Sequence, residues 1–280
     1  MKHLDCFENV KKRIEQADLE AVLFPNELNR WLKHTEEARN KKLQRICSVP
    51  LCDEDFSVGY SLYFRLKWLD VFKACTRQKD ITILEVGSGS STMIPEAMTI
   101  NDANARYITA NMNKKLTEGL RQNTAALPIT IDIIEDDANN IQNHLAVNTA
   151  DAIVFEHSVN DILQAILCEN NGIDTTNSDW FDILPEMIKM IGAEYVNQSL
   201  EQKVKSAFLS LINNCLAVLK PGGYLVMSHY MFQYDLDLGY HAELWQDMLP
   251  LVRPWLRELS VGKEVTFDGF YPQWWLFYQK

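Results

Sequence analysis

Residues 81–92 read ITILEVGSGSST. Four of the first six side chains are apolar, and three of those four are β-branched. Glu85 stands two residues ahead of Gly87-Ser88-Gly89, and a short polar run through Ser91 follows. An apolar run that ends in glycines and opens a helix reads as a buried parallel strand feeding a nucleotide-binding loop. Gly87 permits the sharp turn, and Gly89 leaves main-chain N–H groups unshielded for a ligand to approach.

The dinucleotide fingerprint asks for a third glycine three residues after the second, but Thr92 stands there and the acid comes before the glycines. That E-x-G-x-G order resembles motif I of the class I S-adenosylmethionine (SAM) dependent methyltransferases. The resemblance implies an α/β fold: a seven-stranded, mostly parallel, doubly wound sheet closed by a C-terminal antiparallel hairpin. It also implies SAM as cosubstrate, held by Glu85, Gly87, Ser88, Gly89 and Ser91.

Downstream, residues 93–100 read as the first helix, and 106–110 as a second strand ending in Asn111-Met112. The family places an acid there for the ribose hydroxyls. Asn111 departs from that pattern and gives up the charge-assisted bond. A third strand over 128–134 ends in Glu135-Asp136-Asp137-Ala138, before a helical stretch at 139–147. In the family this position faces the adenine, which assigns Asp136, Asp137 and Ala138 to the cofactor; Asp137 is equally a helix N-cap.

The fourth strand, 151–155, delivers Glu156-His157-Ser158-Val159-Asn160-Asp161, the densest polar cluster in the chain. In doubly wound sheets ligands bind beyond the carboxyl ends of the strands. Glu156 and His157 are therefore cofactor candidates, and His157 is also a candidate general base because its ordinary pKa lies near neutrality. The N/D-P-P-Y motif of amino-group methyltransferases acting on adenine or glutamine is absent.

Residues 170–192 interrupt the α/β rhythm before a long helix at about 194–219, and Trp180, Phe181 and Tyr195 are either pocket walls or packing residues. Leu219-Lys-Pro-Gly-Gly-Tyr-Leu-Val-Met227 then resembles the helix-to-fifth-strand turn of the same family, where Pro halts the helix and the glycines allow the reversal. This strand ends in Ser228-His229-Tyr230, which makes His229 a second candidate base. A helix over 241–259 precedes two strand-like runs joined by Asp268-Gly269.

Residues 1–78 read as a helical cap on a SAM-binding domain spanning 79–280, with 170–192 as an insertion over the active site. One helix is expected up to Pro25, a second over 24–49, and a third after Pro50 with aromatics at Phe56, Tyr60, Tyr63, Phe64, Trp68 and Phe72. That stripe packs on the core, or it brings Tyr60, Tyr63 or Arg65 over the cofactor. Tyrosines facing a sulfonium would stabilise its charge through their π faces.

With 280 residues, 47% of them hydrophobic, the chain can bury a sizeable core. A formal charge of −11 argues against a phosphate-binding surface, so a small-molecule partner is expected rather than nucleic acid. The six cysteines lack a CxxC pair, which suits free thiols in the cytoplasm and no metal site. No run is long enough to span a membrane. Methyl transfer to a small acceptor is the leading expectation. The alternatives are chemistry on the aminocarboxypropyl arm of SAM, by alkyl transfer or by ring closure releasing methylthioadenosine, and a non-catalytic SAM-binding scaffold. An NAD-dependent oxidoreductase fits less well, given Thr92 and Asn111.

Overall fold

The computed structural model of the chain describes residues 5–52, 58–76 and 79–280; Phe56 lies outside them. The N-terminal part is helical but more divided than periodicity suggests. The expected first helix is α1 (Phe7–Glu15) followed by α2 (Leu19–Val22), because Asp18 caps a fresh start by accepting from the Glu20 and Ala21 N–H groups. Pro25 does not end a helix: it stands at the first position of α3 (Pro25–Lys33), where its missing N–H costs nothing. Thr35 then caps α4 (Glu36–Cys47), dividing the expected second helix in two. Of the residues on its expected apolar side, Trp31 and Leu43 are buried whereas Leu32 is exposed. α5 (Val58–Cys75) is buried on nearly every side, Tyr60, Tyr63, Phe64, Trp68 and Phe72 included.

The α/β part begins with β1 (Thr82–Val86), α6 (Met93–Asn101), β2 (Arg106–Ala110), α7 (Lys114–Thr124) and β3 (Thr130–Ile134). In place of a helix at 139–147 there is only a short 3-10 turn, Ala138–Asn143. β4 (Ala150–Glu156), α8 (Val159–Asn170), α9 (Trp180–Val196), α10 (Leu200–Val218) and β5 (Leu219–Ser228) follow. The stretch expected to break the rhythm is thus largely α9, a 17-residue helix that packs on α8. The expected helix at 241–259 is α12 (Ala242–Gln246) and α13 (Met248–Leu256), preceded by the short α11 (Gln233–Asp237). β6 (Lys263–Val265) and β7 (Trp275–Gln279) complete the sheet, separated by a loop over 266–274 instead of a tight Asp268-Gly269 turn.

The seven strands run in the order β3-β2-β1-β4-β5-β7-β6, with β7 antiparallel to both of its neighbours. β1 pairs in parallel with β2 on one side and β4 on the other, so the strand order reverses at β1 and β4. Helices alternate with the strands, and an uninterrupted hydrophobic cluster runs from Val10 in α1 to Tyr278 in β7. This is the doubly wound, mostly parallel sheet with an antiparallel end expected from the sequence. Among the described residues no helix is long and apolar enough to cross a membrane.

Candidate active site

A cavity of about 350 Å³ opens beyond the carboxyl ends of β1, β2 and β3. Parallel strands bring their ends to one edge of the sheet, so three loops far apart in sequence meet there. Gly87 and Gly89 come from the first, Asn111 and Met112 from the second, and Asp136, Asp137 and Ala138 from the third. Asp161 and Ile162 at the start of α8, Thr175 and Thr176 ahead of α9, and Trp180 at its first position form the facing wall. A hollow of similar size lies at the Lys220-Pro221-Gly222-Gly223 turn, with none of the sequence candidates in it.

The glycine loop has the backbone that its residues suggest. Gly87 and Gly89 have φ of +72° and +57°, the left-handed region that favours glycine. A Cβ on Gly87 would come 3.2 Å from Ser158 Cβ, and the Ser158 hydroxyl in turn donates to the Val86 carbonyl at 2.7 Å. Asn111 Nδ2 donates to the Gly89 carbonyl at 2.7 Å. A carboxylate has no N–H and could not make this bond. Loop closure therefore gives a physical reason for the amide at a position where the family has an acid.

Asp136 accepts from His144 Nε2 at 2.7 Å and from Asn140 Nδ2 at 2.9 Å, and the His144 bond holds its carboxyl below the usual range. Asp137 accepts from the Asn139 N–H at 2.8 Å, so it does cap the short turn that it opens. Glu85, Ser88 and Ser91 do not line the cavity. Glu85 is buried beneath it and accepts from the Tyr107 hydroxyl at 2.5 Å; burial pushes its carboxyl well above the ordinary range. The Ser88 and Thr109 hydroxyls share a 2.9 Å bond, and Ser91 Oγ accepts from the Met93 N–H at 3.4 Å.

The catalytic candidates His157, His229, Tyr60 and Tyr63 gather behind this cavity and not on its wall. His157 has φ +51°, unusual for a side chain with a Cβ. Its ring stacks on His229 at 4.6 Å and meets Phe232 edge-on at 5.1 Å. Its Nδ1 accepts from the Tyr230 N–H at 3.2 Å. Burial lowers its pKa against the opposing pull of Asp235, so the neutral ring carries its proton on Nε2, 3.9 Å from Asp235. In that state no ring nitrogen has a free lone pair. His229 is buried and held neutral, first by burial and then by His157. Tyr60 packs on Phe64 and Phe232, and Tyr63 is buried against Phe64.

Three carboxyls lie among these rings. Glu156 ends β4, more than nine-tenths buried, with one oxygen unpartnered. Burial raises its pKa to about 7. Asp161 is raised to about 8 by burial, then by Asp235 and Glu156. Asp235, in α11, accepts from Trp245 Nε1 at 2.8 Å. Its Oδ2 also accepts from the Phe232 N–H at 3.3 Å, which caps the start of α11.

A raised carboxyl in the fold binds its proton at pH values where the unfolded chain has already lost it. Its contribution to stability is complete below the unfolded pKa and lost as pH rises through the folded one. For Glu156, moved from 4.5 to about 7, the window runs between those values. Glu156→Gln cannot ionise. Relative to wild type it is expected to gain about 2 kcal/mol between pH 5.5 and pH 8.5 in ligand-free urea melts. A constant difference across that range would mean that Glu156 titrates normally.

No protein-family model and no curated protein matches the chain. Among solved structures, it is similar to a candidate SAM-dependent methyltransferase from Methanococcus maripaludis at 15% identity, over 78% of this chain and 84% of that one, with a TM-score of 0.45. A SAM-dependent methyltransferase from Aquifex aeolicus matches at 12% identity over 75% and 87%, with a TM-score of 0.41. A candidate rRNA methylase from Clostridium thermocellum matches at 10% identity over 76% and 92%, also at 0.41. The fold assignment rests on the strand order itself.

Proposed function

We propose that the chain is an enzyme that binds SAM in the cavity at the carboxyl ends of β1 to β3 and moves its methyl group to a small acceptor. The observation that carries this is the convergence of the Gly87–Gly89 loop, Asn111-Met112 and Asp136-Asp137-Ala138 on one cavity. The site fits such a ligand. A loop with no Cβ at two positions presents its N–H groups for close contact, and Asn111 and the Asp136-Asp137 pair supply polar atoms for a nucleoside.

Bound SAM supplies a carbon made electrophilic by the neighbouring sulfonium. The residues of the chain hold the nucleophile in line in a site sheltered from water, which is where most of the acceleration comes from. In this reading residues 1–78 are the cap and 79–280 the SAM-binding part, with 170–192 giving one wall of the site. The acidic balance of the chain favours a small acceptor over a polyanion.

One observation favours a second reading, chemistry on the aminocarboxypropyl arm with release of methylthioadenosine. At about 350 Å³ the cavity lies near the small end of the range for drug-sized ligands, roughly 300–1,000 Å³, and suits one molecule better than two. Mass spectrometry after incubation with SAM alone separates the readings. Methylthioadenosine above the uncatalysed background would establish the arm chemistry and overturn methyl transfer. S-adenosylhomocysteine that appears only with an added metabolite extract would establish methyl transfer. Unaltered SAM under both conditions would overturn the assignment as an enzyme.

A further inference from the structure

Resting on the SAM reading above, we propose that residues 173–179 form a gate over the nucleoside end of the cavity. Asn113 and Lys114 latch it, and the cosubstrate and its product exchange when that latch releases. Thr175 and Thr176 line one wall of the cavity, and Asn113 lines the other. The two walls are hydrogen-bonded to each other. Asn113 Nδ2 donates to the Thr175 carbonyl at 2.7 Å and to the Ser178 carbonyl at 3.0 Å. The Lys114 N–H donates to the Thr176 carbonyl at 3.0 Å, and Lys114 Nζ to Asn177 Oδ1 at 2.7 Å. Lys115 adds an ion pair with Asp179 at 3.3 Å. Ties between facing walls close a cavity on the side where they run. That side is the outer one: the row passes from the buried Asn113 bond to exposed bonds at Lys114 and Lys115, whereas the strand ends at Val86 and Ala110 form the floor. Asn111, which meets the ribose in this reading, stands two residues from the latch.

The segment is built to move as one piece. Asp174 Oδ1 accepts from the Thr176 and Asn177 N–H groups at 2.9 and 3.0 Å, and its Oδ2 from Asn177 Nδ2 at 2.8 Å, so the turn is braced from within. Gly172 has φ +73° and nothing within 4 Å of where a Cβ would stand, which gives a hinge where the chain leaves α8. Asp179 ends the segment as the N-cap of α9, accepting from the Phe181 N–H at 3.0 Å. Among the described residues, each hydrogen bond from 173–179 that reaches beyond the segment and its two flanking helices goes to Asn113, Lys114 or Lys115. The ties are unequal. The exposed Lys115–Asp179 pair contributes little, whereas the buried Asn113 amide counts for more. All of them lie within the protein, so they hold the gate shut before a ligand arrives, and association is slowed by the fraction of time that it stays shut.

A gate leaves a kinetic mark that a wall does not. Loosening the latch raises the open fraction, so ligand both enters and leaves faster. A residue that merely touches the bound ligand changes dissociation alone. Two substitutions loosen the latch and spare what surrounds it. Lys114→Pro removes the backbone donor to Thr176 and the amine on Asn177. Position 114 is the first of α7, where proline suits the helix, and it does not line the cavity. Asn113 before it is already extended, as the residue preceding a proline must be. Asn113→Asp keeps the cap of α7, in which Oδ1 accepts from the Leu116 N–H at 3.0 Å, but sets a carboxylate oxygen against the two carbonyls.

Surface plasmon resonance on the immobilised full chain, with S-adenosylhomocysteine as the probe, reads both rates. The expected result is association and dissociation each faster by roughly tenfold in Lys114→Pro and in Asn113→Asp. Faster dissociation at an unchanged association rate, or both rates within about twofold of wild type in either folded variant, overturns the gate. Hydrogen exchange on the wild-type chain needs no substitution to fold. The Lys114 amide is expected to exchange through local opening, faster than amides inside α8, and to slow by roughly tenfold or more under saturating S-adenosylhomocysteine. Exchange no faster than that of the α8 interior would mean that the segment does not open on its own, and overturns the gate. Exchange that bound S-adenosylhomocysteine leaves unchanged overturns it as well. No binding of S-adenosylhomocysteine beside fast Lys114 exchange would overturn the SAM reading, and with it the ligand assigned to the gate, while the opening itself stands.

Discussion

Gly89→Asp is expected to weaken SAM binding by about a hundredfold or more, on the order of 3 kcal/mol. At φ +57° a residue with a Cβ is held in the left-handed region, a cost of about 1 kcal/mol that aspartate tolerates better than most. The larger effect is on the ligand. A Cβ at this position would lie 3.8 Å from Leu116 Cδ1, and both residues line the cavity, so the new carboxylate takes space and polar contacts that the cosubstrate needs. The fold should survive, because 3.8 Å is an ordinary contact. At Gly87 the corresponding distance to Ser158 is 3.2 Å, which makes position 89 the cleaner probe. Calorimetry with SAM beside a thermal melt checks both halves. Affinity within a factor of about two of wild type, in a folded variant, would remove SAM from this cavity.

Arg65→Met carries the largest expected loss of stability, about 3–5 kcal/mol. Arg65 is 2% exposed in α5 and bonds two acids from different elements. It holds Glu27 of α3 at 2.5 and 3.1 Å through its two Nη atoms, and Glu96 of α6 at 3.0 Å through Nε. The Phe24 ring packs 4.8 Å from the guanidinium carbon. Methionine fills much of the volume but strands two shielded carboxylates, against a total stability of about 5–15 kcal/mol for a typical domain. Lysine keeps the charge without the planar fork and should fall between. Urea unfolding supplies the number, and a loss under about 1 kcal/mol would mean that the pairs contribute little. SAM affinity of the folded variant should stay unchanged, which separates this role from a lid over the cofactor.

The α/β half of the fold was legible because its signals are local. A β-branched run, a glycine turn and an amphipathic helix follow one another, and each is a property of neighbouring residues. The N-terminal helices were harder because helical spacing continues through Asp18 and Thr35, and only the capping bonds of those two residues divide it. The loops that line the cavity were visible for the same local reason, whereas the packing behind them was not. Tyr60 and Tyr63 are lid candidates in the sequence, and the structure buries both against Phe64, off the cavity wall. His157 looked like a base, yet the Tyr230 N–H that occupies its Nδ1 lies 73 residues away in the chain.

β7 sits inside the sheet, between β5 and β6, although it follows both in the chain. During translation, then, β5 leaves the ribosome with one side already matched to β4 and the other still bare. At about 5–20 residues per second, the strand that covers it arrives seconds later. Until then the nascent chain exposes a row of unpaired backbone groups on a hydrophobic strand, the kind of edge that invites pairing with another molecule. Newly made protein is therefore most prone to aggregation just before β7 docks, and a chaperone that shields β5 over that interval would raise the yield of folded protein.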